Sequence, residues 1–363
     1  MIQLFLLAGI LLAPPQAASV PLSGDAAVVT FSGTDLSLSS VLAEISKQTG
    51  NRVVDHRAAF GQLAEERSVT VDFDKTPFWQ ALDAVLDQTD LTLFGLAGER
   101  GAFVVNRLPN AQPRAIGASY SEAFRLQVVR VEANRNLRDE GASNLRLILE
   151  LSWEPRLQPF SILQRLEETT ALGSSGEAIA LAGAQTTRET LVRQDFSSTE
   201  LEVLLQLPPR STAAIQRLKG KLVALVPGAL EEFRFSELPV GDSGERAKVV
   251  SQRREGTTLT VESVRKNNDV WEASLHLHFD EASDAIESHR SWMLDNKAFF
   301  EDAKGVQIES GGMEQTLRTK QAIGLKYYFD LPDGPQSYTF VYRTPLQVLE
   351  LPVNYEFSDL RLP

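Results

Sequence analysis

The chain has 363 residues, 43% hydrophobic and 23% charged, values that exclude a collagen-like, wholly disordered or multi-span membrane protein. Its 36 basic against 48 acidic residues give a net charge of -12, which repels phosphate backbones, so no nucleic-acid partner is expected. Cysteine is absent, which excludes disulfides, thiolate metal sites and thiol nucleophiles together.

Residues 2–13 read IQLFLLAGILLA, an uncharged apolar run. It is shorter than the ~20 residues a membrane-spanning helix needs. Followed by Pro14-Pro15 and small residues, it predicts a secretory signal over 1–19, cleaved near Ala17 to Ser19, although no Lys or Arg precedes it. No later stretch is apolar enough to span a membrane, so the expectation is an exported chain, periplasmic or envelope-associated, with no transmembrane segment after cleavage. The length implies two or three domains. Pro/Gly-rich stretches at 107–119 (RLPNAQPRAIGAS) and 238–247 (LPVGDSGERA) divide it into units expected at 20–110, 118–240 and 245–363.

The first unit contains a repeat of forty residues. Val29-Thr30 opens a strand, and Leu38, Val41, Leu42 and Ile45 form one helix face ending at Gln48-Thr49. Forty residues on, Val69-Thr70, then Phe78, Ala81, Leu82 and Val85, then Gln88-Thr89 repeat the pattern. Thr76-Pro77 predicts a cap and a proline at the first helical position, and Gly50 a left-handed helix end. With short strands at 52–54, 91–94 and 103–106, the order is βαβ-βαββ, an α+β unit.

The segments LSLSSVLAEISKQTGNRVV and VTVDFDKTPFWQALDAVLDQTDLTLF resemble the short N-terminal (STN-like) module of secretins and TonB-dependent signal receptors, with Leu82, Leu86, Thr89 and Leu91-Thr92-Leu93 carrying the match. The resemblance covers about 80 residues. It implies the module's fold and a place in the cell envelope. No series of alternating ~10-residue strands follows to close a transmembrane barrel, so the transport function of those families does not carry over.

The second and third units resemble one another. LQVVRV from Leu126 parallels LTVESV from Leu259, LILELSW from Leu147 parallels LHLHF from Leu275, the Leu207-Pro208 turn parallels Leu331-Pro332, and FSEL from Phe235 parallels FSDL from Phe357. Period-two alternation with recurrent turn signals predicts two mostly antiparallel β-sandwich domains. Asp333 to Phe340 resembles the tyrosine corner of immunoglobulin-like domains, with Tyr338 as the corner residue and Phe340 where an antibody domain has its second cysteine. Helical insertions are expected at 158–170 and 282–300.

The chain lacks the dinucleotide, Walker, zincin and nucleophile-elbow signatures. Its best metal candidate is His276, His278 and Asp280 on one strand face, with Asp284, Glu287 and His289 following; two imidazoles and a carboxylate can hold zinc. The alternation Leu275, His276, Leu277, His278, Phe279 is equally what a half-buried strand requires. Asp72 and Asp74 share a strand face and read as solvated. Asp280-Glu281 with Asp284 lacks the glycine and terminal glutamate of an EF-hand. Trp79 and Trp292 would be sugar platforms if exposed, Trp153 and Trp271 read as sandwich core, and Ser174-Ser175 reads as turn. No catalytic, cofactor or metal residue is therefore assigned. The expectation is a non-catalytic adaptor or structural protein that contacts other envelope proteins; the alternatives are an envelope carbohydrate binder and a metal-dependent hydrolase using His276 and His278.

Overall fold

The computed structural model describes residues 24–95, 99–109, 117–183, 186–193, 195–228, 230–241, 249–280, 296–319, 321–345 and 348–363; the expected export signal lies outside them. The described chain is mostly β, in several sheets, with two α-helices.

Along the first unit run β1 (Val28–Ser37), α1 (Leu38–Thr49), β2 (Val53–Asp55), β3 (Ser68–Pro77), α2 (Phe78–Thr89), β4 (Leu91–Phe94) and β5 (Ala102–Asn106). β1 pairs antiparallel with β3, while β5 lies parallel to β2 and antiparallel to β4. The two helices pack between these sheets, burying Leu38, Val41, Leu42 and Ile45 from α1 and Phe78, Ala81, Leu82 and Val85 from α2.

The forty-residue repeat is physical. β1 and β3 pair about the repeat-related residues Ser32 and Asp72, so each copy fulfils the other's needs reciprocally. Leu38 N–H donates to Arg67 O and Phe78 N–H to Ala27 O, both at 2.8 Å. The bulged Thr30 and Thr70 N–H groups donate to the Gln48 and Gln88 side chains at 2.8 and 3.1 Å. Asp35 and Lys75 share a left-handed backbone, φ 56° and 49°. Gly50, φ 68°, ends α1 as expected, and Asp90 ends α2 in the same conformation. The expected Thr76 cap does not form: Pro77 occupies the cap position, and the other copy's strand supplies the acceptor.

The chain continues through β6 (Ser119–Ser121), β7 (Phe124–Asn134), β8 (Asn144–Trp153), β9 (Ser161–Gly173), β10 (Ala178–Ile179), β11 (Arg188–Leu191), β12 (Ser198–Gln206) and β13 (Ala214–Pro227). Then come β14 (Leu230–Phe235), β15 (Val250–Arg254), β16 (Thr257–Asn267), β17 (Val270–Phe279), β18 (Ala298–Glu301), β19 (Gln307–Glu309), β20 (Gly312–Arg318), β21 (Ala322–Phe329), β22 (Thr339–Pro345) and β23 (Val348–Arg361). Sheet β12-β8-β7-β6 and sheet β10-β9-β13-β23 enclose one core that includes Trp153, Leu147, Leu222 and Phe357. Sheet β15-β16-β17-β21-β20 and sheet β14-β22-β18-β19 enclose another, with Leu259, Leu275, Phe300 and Phe340.

The helix expected at 158–170 is instead the strand β9, hydrogen-bonded to β13 on one side and to β10 and β11 on the other. Its Ile162 and Leu166 are four apart, as on a helix, yet both ladders, the β-branched Thr169-Thr170 and the buried Gln164 override that spacing. Gln164 crosses the core to donate to Glu202 O at 3.0 Å. Of the insertion expected at 282–300, residues 282–295 lie outside the described residues, and Ala298 to Phe300 belong to β18. Tyr338 donates to the Asp333 carboxylate at 3.4 Å rather than to backbone, and Phe340 is fully buried.

Strand membership crosses the boundary expected at 238–247. β14 pairs with β22, and β23 returns to pair with β13. These two ladders keep one register, from Ala214 opposite Arg361 through Pro227 opposite Val348, then from Leu230 opposite Pro345 to Phe235 opposite Phe340. Two residues on each side, 228–229 and 346–347, separate them. Two ladders in one register, β13–β23 and β14–β22, therefore form the ribbon shared by both sandwiches, and the second lies in sequence between β13 and β23 of the first.

Matching positions show how the two sandwiches correspond. The β7–β8 ladder bulges between Val128 and Arg130, and the β16–β17 ladder between Val261 and Ser263. At the seam of the first sandwich, Glu356 N–H donates to Ser119 Oγ at 3.1 Å; at the matching seam of the second, Gln252 Nε2 donates to Arg234 O at 2.5 Å.

Truncation after Pro345 is expected to expose the β13 edge and remove Val353, Tyr355 and Phe357 from the first core. Hydrogen exchange should then show lost protection in Leu145–Trp153 and retained protection in Leu275–Phe279. The reverse pattern would reject the shared ribbon.

Candidate functional site: the junction of the α+β unit and the first sandwich

Ionisable groups are buried where the first unit meets β6–β8. α2 presents Trp79 and Asp83, 3% exposed each, beside its core-facing residues. Asp83 accepts from Arg125 Nε at 2.8 Å and from Tyr120 OH at 2.5 Å. The Arg125 guanidinium also donates to Gln127 Oε1 at 2.9 Å. Trp79 Nε1 donates to Ala123 O at 3.1 Å.

A second buried carboxylate closes the other side. Glu154, wholly inaccessible, accepts from Ala27 N–H at 2.8 Å, Asn51 Nδ2 at 2.9 Å and Arg156 Nε at 2.6 Å. Asn51 in turn accepts from Arg156 N–H at 3.0 Å. Each partner comes from a different segment, so the carboxylate ties the residue before β1, the turn after α1 and the loop after β8 together. The turn after β4 also approaches: Ser198 Oγ donates to Gly95 O at 3.3 Å, and Gly101 N–H to Ser197 Oγ at 3.2 Å.

Trp79, Gly95, Glu150 and Ser198 line the remaining gap of about 20 Å³, room for one water. Burial pushes the Glu150 carboxyl above its ordinary range; Arg125 opposes that shift, and Glu200 on β12 adds to it. Asp83, Arg125 and Glu154 are thus engaged in joining the units. The chemistry they support is positioning, with each charge paired and hydrogen-bonded.

The sequence candidates lie elsewhere. His276 is half-buried and His278 exposed on the outer face of β17, while Leu275, Leu277 and Phe279 face the core. His276 Nδ1 is 4.0 Å from Glu262 Oε1, and Asp280 is paired with Arg253. Among the described residues no three His, Asp or Glu side chains gather as a metal site. Asp284, Glu287, His289 and Trp292 lie outside the described residues. Asp72 and Asp74 are solvated on β3, Ser174 and Ser175 sit in an exposed turn, Trp153 is core and Trp271 half-buried. Trp79, a sugar platform only if exposed, is buried in the junction.

Sequence reasoning missed Asp83, Arg125, Tyr120, Asn51 and Glu154. A signal was available in the repeat. α1 has Ser39 and Ala43, both exposed, where α2 has Trp79 and Asp83, both buried; divergence between the copies marks the helix that docks. The chain matches no protein-family model and no curated protein.

Removing Asp83 strands a buried guanidinium, a loss of about 3–5 kcal/mol. Asp83→Ala should cost that in chemical denaturation, while Asp83→Leu combined with Arg125→Met should recover most of it. Equal losses in both variants would show that the ion pair does not join the units. Replacing His276 and His278 by Thr should change stability within about 0.5 kcal/mol, and zinc or a chelator should leave the melting temperature of either protein unmoved. A chelator-sensitive wild type beside an insensitive mutant would establish a metal site.

Proposed function

We propose that this protein is an exported, non-catalytic adaptor or structural protein of a bacterial cell envelope. In this reading an STN-like α+β unit is carried by two immunoglobulin-like β-sandwiches, and the surface contacts other envelope proteins. The observation that carries it is the junction: two buried carboxylates there hold the α+β unit against its neighbour in one orientation, which suits a part that presents a surface. The helices lying between a two-stranded and a three-stranded sheet support the STN-like reading, and the apolar run at 2–13 supports export.

Phe60 and Leu63, 48% and 72% exposed, lie on the segment that covers the outer face of β2–β5–β4, where apolar exposure favours protein contact. The test places a photoreactive residue at Leu63 and irradiates intact cells that produce the protein. Expected are a chain recovered from the exported fraction without residues through about Ala17 to Ser19 and a discrete cross-linked envelope protein. A full-length cytoplasmic chain, or no product beyond those formed by a probe at Leu137 on the second unit, would contradict the proposal.

A further inference from the structure

The two sandwiches differ at one end. In the second, Trp271 lies against the turn Leu331–Gly334, its Cζ2 3.9 Å from where a Gly334 side chain would begin. Ladder register identifies the matching residue in the first. Val128 opposite Leu149 corresponds to Val261 opposite Leu275, beside matching bulges, which shifts by two residues the sequence parallel that set Leu147 against Leu275; four residues earlier on each strand stand Leu145 and Trp271. The facing turns, Leu207-Pro208 and Leu331-Pro332, correspond as well. Where the second sandwich has tryptophan the first has leucine, beside a cavity of about 460 Å³ lined by Leu145, Leu207, Pro208, Thr212 and Leu362.

Arg135 and Arg210 stand at its rim, both exposed. Elsewhere on this sandwich Arg130, Arg146, Arg165, Arg188 and Arg217 each lie within 4.0 Å of a glutamate. Arg135 and Arg210 make no such ion pair among the described residues. Two guanidiniums without a carboxylate partner among the described residues, beside leucine and proline side chains, are complementary to one anion on a compact apolar body, and the volume falls in the ~300–1,000 Å³ range of small-molecule sites.

We infer that this cavity binds a small carboxylate with a compact apolar tail. The carboxylate lies between Arg135 and Arg210, and the tail occupies the space that Trp271 closes in the other sandwich. The site is independent of the junction and of any envelope partner.

Calorimetric titration of the whole protein with 4-phenylbutyrate, and with its uncharged amide, tests the assignment. Saturable binding of the acid is expected, with about tenfold or greater weakening for the amide and for Arg135→Gln combined with Arg210→Gln. Ala133→Trp, at the exposed rim of the cavity, should abolish binding without touching the core, and Leu145→Trp should do so from within. Absence of saturable binding by the acid, equal affinity for the amide, or unchanged affinity in the Ala133→Trp protein would overturn the inference.

Discussion

The register shared by β13–β14 and β22–β23 is the constraint on which the architecture depends. A one-residue slip of an antiparallel ladder moves every side chain of the shifted strand to the opposite face. Here one slip would expel Leu218, Leu222, Tyr355 and Phe357 from the first core and Phe233, Phe235, Phe340 and Tyr342 from the second. Burial in each core therefore fixes pairing in both. The spacing between the sandwiches follows, because the strands leaving one are the strands entering the other. Phe160, Val223 and Leu225 of the first sandwich pack into the core of the second, which extends the ribbon's hold into side-chain contact.

The α+β unit is attached by different physics. Its junction buries Asp83, Arg125, Glu154 and Trp79, groups that are costly to desolvate and become tolerable only when each polar atom finds its partner. Such a network adds little net stability but discriminates sharply among orientations, since a displaced unit would leave charges unpaired. Outside the cores, the sheet faces carry paired charges instead. Glu356 meets Arg217 and Lys219, and Glu202 meets Arg146 and Arg188; this blunts non-specific sheet stacking.

Local pattern made much of this legible. The helix faces of the repeat, its strands at 91–94 and 103–106, and the alternation that buries Leu275, Leu277 and Phe279 all follow from periodicities of 3.6 and 2. The β9 segment, expected as a helical insertion, is a strand because its state is set by the ladders on both of its sides, which a short local stretch does not reveal. Partnership was also hidden from a single chain. The similarity of FSEL at Phe235 and FSDL at Phe357 was visible, but not that each strand pairs within the other's half. The junction residues and the cavity shared one neglected signal: positions where duplicated copies differ, Ser39 against Trp79, Ala43 against Asp83, Leu145 against Trp271.

The central claim is that the three units form one body held by the ribbon and the buried junction, independent of the segment at 242–248. The natural absence of cysteine permits spin labels at chosen pairs alone. Lys47→Cys with Lys304→Cys reports across the whole chain, and Lys219→Cys with Lys304→Cys across the two sandwiches. Pulsed electron–electron resonance before and after cleavage introduced within 242–248 is the direct measurement. The account predicts one narrow distance for each pair, unchanged by cleavage, with both fragments still associated. Broad distributions, or distances that spread once the segment is cut, would contradict it.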